Sequence, residues 1–435
     1  MSDGYMKAKP RINTPNRAQL ILDVIDYNEL IPETHPARII VSFVEKLNLE
    51  AFYTEIKAVE GSAGRAAFDP KLLLCIWLYA TVEGIGSARL IEQLCGRDCA
   101  FRWICGGLNI NYHTLSDFRT ANTGRLDQLL TDIVSSFVSA NIVNLKSILI
   151  DGTKISSSAS LQSFKKRTQL YKLKKEIQRR VSALRQELAQ DSNASINRVE
   201  AARRQSIINR ERKINRALTE LPIIEAVKET AKKKVKKGTE VSEAKVSTTD
   251  PEARIMRFSD GSIDAGYNCQ VVLDPESYMV LSVDVTNQGN DKNLLKPIVE
   301  NIESRYEATV ERTLVDTGYP THQDIIDLAE KKNPTLIYSP LPKKKKKIKA
   351  ESLRKREKKE ANLPEPVKAF LKRMGNRIAN KYYKRRSRIE TFNGILHNRM
   401  PTGFYLRGKV KAKSELLLQA IGHNIMRGFR LEAIS

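Results

Sequence analysis

Three acidic residues stand where a carboxylate could do chemistry. Asp151 follows the apolar run Ser147-Ile148-Leu149-Ile150, the pattern of a buried central strand that delivers a carboxylate at its C-terminal end, and Gly152 would let the chain turn there. Asp316 follows Thr313-Leu314-Val315 in the same way, with Thr317-Gly318-Tyr319 as the turn. Glu390 belongs to the basic stretch Tyr382–His397. Clustered carboxylates repel one another unless a cation neutralises them, and hard ions such as Mg²⁺ take oxygen ligands. Two Mg²⁺ ions, with Mn²⁺ as a substitute, would activate a water or a 3′-hydroxyl for in-line attack on a phosphodiester and stabilise the leaving oxygen. Such chemistry needs neither histidine nor cysteine, which suits a chain with only five of each.

Tyr382–His397 reads as one helix. Ile389, Phe392 and Leu396 form its apolar stripe, and Tyr383, Arg386 and Glu390 share another face. A lone carboxylate among cations suits a site for an anion or a metal-bridged polyanion. A basic surface helix with one ordinary ion pair would show the same pattern.

Composition narrows the partner. With 74 Lys+Arg against 50 Asp+Glu, the net charge of +24 points to a polyanion, and nucleic acid is the default. No uncharged run approaches a membrane span and Met1–Arg17 has no apolar signal region, so the expectation is a cytoplasmic protein with no membrane partner. Cys95, Cys99 and Cys105 have poor zinc spacing and read as reduced thiols.

Several elements must position these residues. Helices are expected at 36–47, from Asp69-Pro70 through the apolar Leu72–Tyr79, at Ala88–Cys95 with Ser87 as cap, at His113–Arg119, and along the stripe Leu126, Leu129, Leu130, Ile133, Phe137, Ala140. Residues 1–144 thus form a helical N-terminal domain, compatible with a helix-turn-helix DNA-end reader or with a plain bundle. From Thr153 to Lys237 no glycine interrupts two apolar stripes, with Asp191-Ser192-Asn193 as the turn between them, so 160–235 reads as a helical hairpin. Strands Tyr267–Leu273 and Tyr278–Val285 form a β-hairpin about Asp274-Pro275-Glu276-Ser277. Asn290-Asp291 caps a helix, strand Thr335–Tyr338 precedes a basic loop over 340–362, and a last helix runs Ser414–Phe429. Without the hairpin insertion, this order from residue 145 to 435 is that of an RNase H-like α/β core, a mixed five-stranded sheet with flanking helices. Its first and fourth strands are neighbours, so Asp151, Asp316 and Glu390 would converge.

The segments Ile150-Asp151-Gly152-Thr153-Lys154, Val315-Asp316-Thr317-Gly318-Tyr319 and Tyr383-x2-Arg386-x3-Glu390 resemble the three signature motifs of the bacterial insertion-sequence DDE transposases. Asp69–Arg119 is similar to an amino-terminal domain of one large branch. Tyr267-Asn268-Cys269-Gln270 and His423-Asn424-Ile425-Met426-Arg427 resemble the second-strand and terminal-helix motifs. The resemblance implies Mg²⁺-dependent cleavage at the ends of a mobile element and joining of the freed 3′-hydroxyl to target DNA. Asp151, Asp316 and Glu390 would be catalytic metal ligands. Tyr383, Arg386, Arg388, His397, Lys154 and Tyr319 would contact DNA. The partners implied are the terminal inverted repeats, the target DNA and a second copy of the chain in a homodimer on the nucleoid. The usual third motif ends in a lysine seven residues after the glutamate; here that position is His397, which can donate to a phosphate without lysine's fixed charge. The alternatives are a metal-dependent nuclease that cuts without joining, and a basic non-catalytic relic that only binds DNA.

Overall fold

The structure, a computed structural model, describes residues 26–54, 56, 66–190, 198–234, 242–341 and 361–432. The expected turn at Asp191–Asn193 and nearly all of the basic loop over 340–362 lie outside the described residues.

Seven helices come first: α1 (Pro36–Glu45), α2 (Glu50–Tyr53), α3 (Pro70–Val82), α4 (Ala88–Arg97), α5 (Cys99–Cys105), α6 (Tyr112–Ala121) and α7 (Thr123–Ser139). Local chemistry starts them as expected: Asp69 accepts from the Lys71 N–H ahead of Pro70, and Ser87 accepts from the Leu90 N–H. Helix α5 went unread in the sequence because it has only seven residues; Asp98 caps it by accepting from the Ala100 and Phe101 N–H groups. Helix α3 is apolar on nearly every side and accordingly buried from Leu73 to Thr81.

Eight strands follow: β1 (Ser147–Ser156), β2 (Phe164–Lys165), β3 (Val246–Ser247), β4 (Arg254–Arg257), β5 (Ile263–Leu273), β6 (Val280–Thr286), β7 (Arg312–Leu314) and β8 (Leu336–Tyr338). Six of them make one mixed sheet. Strand β1 is central, antiparallel to β5 and parallel to β7, with β8 beyond β7; β5 pairs on its other edge with β6 and β4. The core is the expected RNase H-like mixed sheet, enlarged by β4. Strand β1 departs from expectation in length. It continues through Asp151 to Ser156 because β5 supplies partners as far as Gly266, so Gly152 is a strand residue opposite Gln270 and not a turn.

Helices α8 (Arg167–Gln190) and α9 (Arg198–Lys234) form the expected hairpin insertion. Leu170, Ala217, Leu221 and Ile224 close a small core at its base with Ala244 and Val246. Among the described residues the remaining helices are α10 (Leu295–Tyr306), α11 (His322–Ala329), α12 (Glu365–Met374), α13 (Arg377–Tyr383), α14 (Arg388–Arg399) and α15 (Lys409–Glu432). Helix α15 packs against α1, α3 and α7 on one side and β6 on the other. Its Asn424 pairs with the β6 edge like another strand, accepting from the Val280 N–H and donating to the Val280 carbonyl, both at 2.8 Å. One hydrophobic core therefore runs from Ile31 to Ile425, and the change near residue 144 is one of secondary structure, not a gap in the core. Cys75, Cys95, Cys105 and Cys269 are buried and Cys99 is exposed; all five are free thiols.

Candidate active site

Strand register sets the first two carboxylates. Leu149 pairs with Leu314 at the end of the parallel β1–β7 ladder, two residues before Asp151 on one strand and two before Asp316 past the other, near enough for the charge of Asp316 to act on Asp151. Asp151 lies inside a strand and is 9 % exposed, whereas Asp316 stands exposed beyond the end of β7. The Asp151 carboxyl is pushed above the ordinary range, first by burial and then by the negative charge of Asp316; Arg386 and the Gly152 N–H pull the other way.

The third motif lies on a helical course that is not a single α-helix. Helix α13 ends at Tyr383, a 3₁₀ turn occupies Lys384–Ser387, and α14 begins at Arg388. The Ser387 hydroxyl returns a hydrogen bond to the Lys384 carbonyl, a local bond that competes with the regular ladder. Ile389, Phe392 and Leu396 are buried, as the stripe required, and hold α14 against β1.

That docking sets Arg386, Asn393 and His397 against β1, with Glu390 beside Arg386. Arg386 Nη2 donates to Asp151 Oδ1 at 2.7 Å, and Asn393 Nδ2 donates to Oδ2 at 3.0 Å. Glu390, between them, is 3.7 Å from Arg386 Nη1 with its side chain 67 % exposed. His397 Nε2 lies 2.9 Å from Thr153 Oγ1. Four residues of helix rise about 6 Å and two residues of strand about 6.6 Å, so the Asn393–His397 and Asp151–Thr153 pairs keep step. Tyr383 is half-buried, and burial followed by the charges of Asp316 and Asp151 raises its phenol. Arg386 is held in its charged form: burial opposes this, but the charges of Asp151 and Asp316 and the hydrogen bond to Asp151 prevail.

The other residues expected to meet DNA sit elsewhere. Arg388 donates to the Pro275 carbonyl and lies 5.3 Å from the Tyr278 ring, bracing the β5–β6 turn. Lys154 is on the opposite face of β1 from Asp151 and donates to the Arg257 carbonyl at 2.7 Å. Tyr319 is fully buried and donates to Gln270, so its ring is not presented to a bound strand. Asp291 does not cap α10, which starts at Leu295; its Oδ1 accepts from Asn268 and Gln270 instead.

Sequence reasoning passed over Asn393, although it lies one turn after Glu390. It singled out Asn268 and Gln270 only as part of a strand motif and gave them no role, although their alternation inside a buried strand signals a polar face.

Carboxylate and amide oxygens suit a hard divalent cation. Asn393 Oδ1 is buried with no hydrogen-bond partner among the described residues, an acceptor left over beside Asp151. Among the described residues no three His, Cys, Asp or Glu side chains gather closely enough to hold a metal, and the Arg386 guanidinium supplies the positive charge at Asp151. The donors fit the ion; the guanidinium must yield for them to close on it.

A mixed sheet with a central strand antiparallel to one neighbour and parallel to the other, flanked by helices, defines the class: an RNase H-like α/β core. Comparison with known families agrees, since residues 25–121 match a transposase domain (DUF772) and residues 259–425 match a transposase DDE domain. The chain belongs to the insertion-sequence DDE transposases, whose members act on DNA and generally use divalent metal ions. The second match begins after β1, and the β1–β5 and β1–β7 ladders join Asp151 to it. No curated protein and no solved structure matches the chain. Among the described residues no helix is long and apolar enough to cross a membrane.

Proposed function

We propose that this transposase cleaves the ends of its insertion sequence and joins the freed 3′-hydroxyl to target DNA, with Asp151, Asp316 and Glu390 as the ligands of two Mg²⁺ ions. The observation that supports this reading is that Arg386 bonds to Asp151 and lies 3.7 Å from Glu390, while the charge of Asp316 acts on the Asp151 carboxyl. When bound, the ions supply a deprotonated attacking oxygen and charge neutralisation at the leaving oxygen. The chain's own residues do the positioning. Strand β1, paired with β5 through Asp151, fixes that residue, and the turn after β7 presents Asp316 to solvent. Arg386, once released from Asp151, offers a planar fork to a phosphate, and Tyr383 offers a ring on which an unpaired base can stack. His397 lies along the same groove of the β1–α14 contact. The helices of 26–139 are assigned to the terminal inverted repeats, and a homodimer on the nucleoid to holding two ends at once.

The test is strand transfer on labelled element ends with Mg²⁺. Asp151→Asn, Asp316→Asn and Glu390→Gln should each abolish cleavage and joining while DNA binding persists. Undiminished cleavage by any of the three overturns the assignment of that residue, and cleavage without joined product by the wild type leaves a nuclease.

A further inference from the structure

Asp316 is poorly held by the sheet that presents it. Strand β7 has three residues and ends two before Asp316; the last support from β8 is the Val315 N–H to Tyr338 carbonyl bond at 3.0 Å. Three residues on, however, Tyr319 is wholly buried, and its hydroxyl donates to Gln270 Oε1 at 2.5 Å. Gln270 is on β5, and β1 runs between β5 and β7. The bond therefore crosses the face of the central strand. Gly152 pairs with Gln270, and a Cβ there would come within 2.8 Å of Gln270 Nε2, 2.4 Å of Asp291 Oδ1 and 2.9 Å of Asn268 Oδ1. The other end of the Gln270 amide is also engaged: Nε2 donates to Asp291 Oδ1 at 3.0 Å, and Asn268 Nδ2 donates to the same oxygen at 2.8 Å. Asn268 and Gln270 are 1 % and 3 % exposed, so few waters compete for these bonds.

We propose that Tyr319, Gln270 and Asp291 form a hydrogen-bonded strap laid across Gly152, which holds the turn carrying Asp316 near Asp151. Tyr319, Gln270 and Asp291 are positioning residues on the face opposite the one where α14 meets Asp151. Gly152 is glycine because the strap occupies the place of its side chain. The consequence for metal binding rests on the proposed function; the strap itself does not.

Two readouts on the full-length, DNA-free protein separate these levels. Hydrogen exchange in metal-free protein should show the amides of 316–319 opening faster in Tyr319→Phe, with β6 unchanged. Mg²⁺ titration should show affinity weakened roughly 10–100-fold, the range for residues that orient metal ligands. The double variant Tyr319→Phe/Gln270→Leu should be no worse than Gln270→Leu alone, since Gln270→Leu has already removed the Tyr319–Gln270 bond. Asp291→Asn keeps an oxygen for Asn268 and Gln270 and should retain near wild-type affinity, whereas Asp291→Ala should not; this pair carries the test if Tyr319→Phe does not fold. Unchanged exchange in Tyr319→Phe, or Asp291→Asn as damaging as Asp291→Ala, overturns the strap. If Asp151→Asn leaves Mg²⁺ binding intact, the metal assignment fails while the exchange result still decides the strap.

Discussion

Asp151 and Arg386 are 235 residues apart in sequence and 2.7 Å apart in space, and the guanidinium occupies the side of the carboxylate where a cation would bind. Both side chains are largely buried, so the pair cannot be treated as a surface ion pair. Arg386→Ala leaves a buried carboxylate facing one amide, and metal-free stability should fall by about 3 kcal/mol in urea unfolding. The same variant should gain more stability from added Mg²⁺ than the wild type, because the competing charge is gone, and should bind element-end DNA more weakly. An equal Mg²⁺-induced shift in Tm for both proteins would show that Arg386 does not compete with the ion.

Gly152→Ala tests the clearance over β1 directly. The new methyl would meet the Asp291 carboxylate and the Gln270 amide, neither of which can move without breaking a buried hydrogen bond. Overpacking of this kind costs about 1–3 kcal/mol, read as a lower urea midpoint. Gly124→Ala in α7 is the control. A Cβ there meets nothing within 4 Å, and at the second residue of the helix the change should leave stability unaltered or slightly higher.

The convergence of Asp151 and Asp316 was legible because strand order follows from the succession of apolar runs, and a parallel neighbour keeps residues in step. The stripe Ile389, Phe392, Leu396 was legible because periodicity is local. Gly152 was misread because a glycine after a carboxylate looks like a turn, and only the unseen partner strand shows that the ladder continues. Lys384–Ser387 has ordinary helix formers, so nothing in composition separates a 3₁₀ turn from the helix around it. Tyr319 sits in the motif beside Asp316, yet its direction depends on Gln270, 49 residues away. Register and periodicity are written locally; the strap and the Arg386 pairing exist only once three strands and a helix are packed.

His397→Lys would place at this position the lysine that the third-motif resemblance implies. His397 is exposed and its partner is the Thr153 hydroxyl, so the change has room and forfeits one hydrogen bond. A lysine that reaches a phosphate should steepen the dependence of log K on log salt by about 0.9 and tighten binding at low salt. An unaltered slope in filter binding or fluorescence anisotropy would place residue 397 away from the DNA backbone.

His423 makes the fold sensitive to acid. Its ring packs edge-on to Phe392 at 4.8 Å, and Nε2 donates to the Tyr278 carbonyl at 2.9 Å, where α15 meets the β5–β6 turn. Its pKa is lowered to about 4, chiefly by burial and further by Arg399, Arg427 and Arg430, with the Tyr278 bond working the other way. The unfolded chain binds this proton near the ordinary value of about 6.5, so between the two values the unfolded state holds more protons and stability rises with pH. The contribution, about 3 kcal/mol at most, is complete above pH 6.5 or so and is lost as pH falls toward 4. His423→Gln keeps a donor for Tyr278 but cannot titrate. The wild-type minus variant difference in unfolding free energy should therefore change across this window and stay flat above it, and a difference independent of pH would mean that His423 is hydrated in the folded protein.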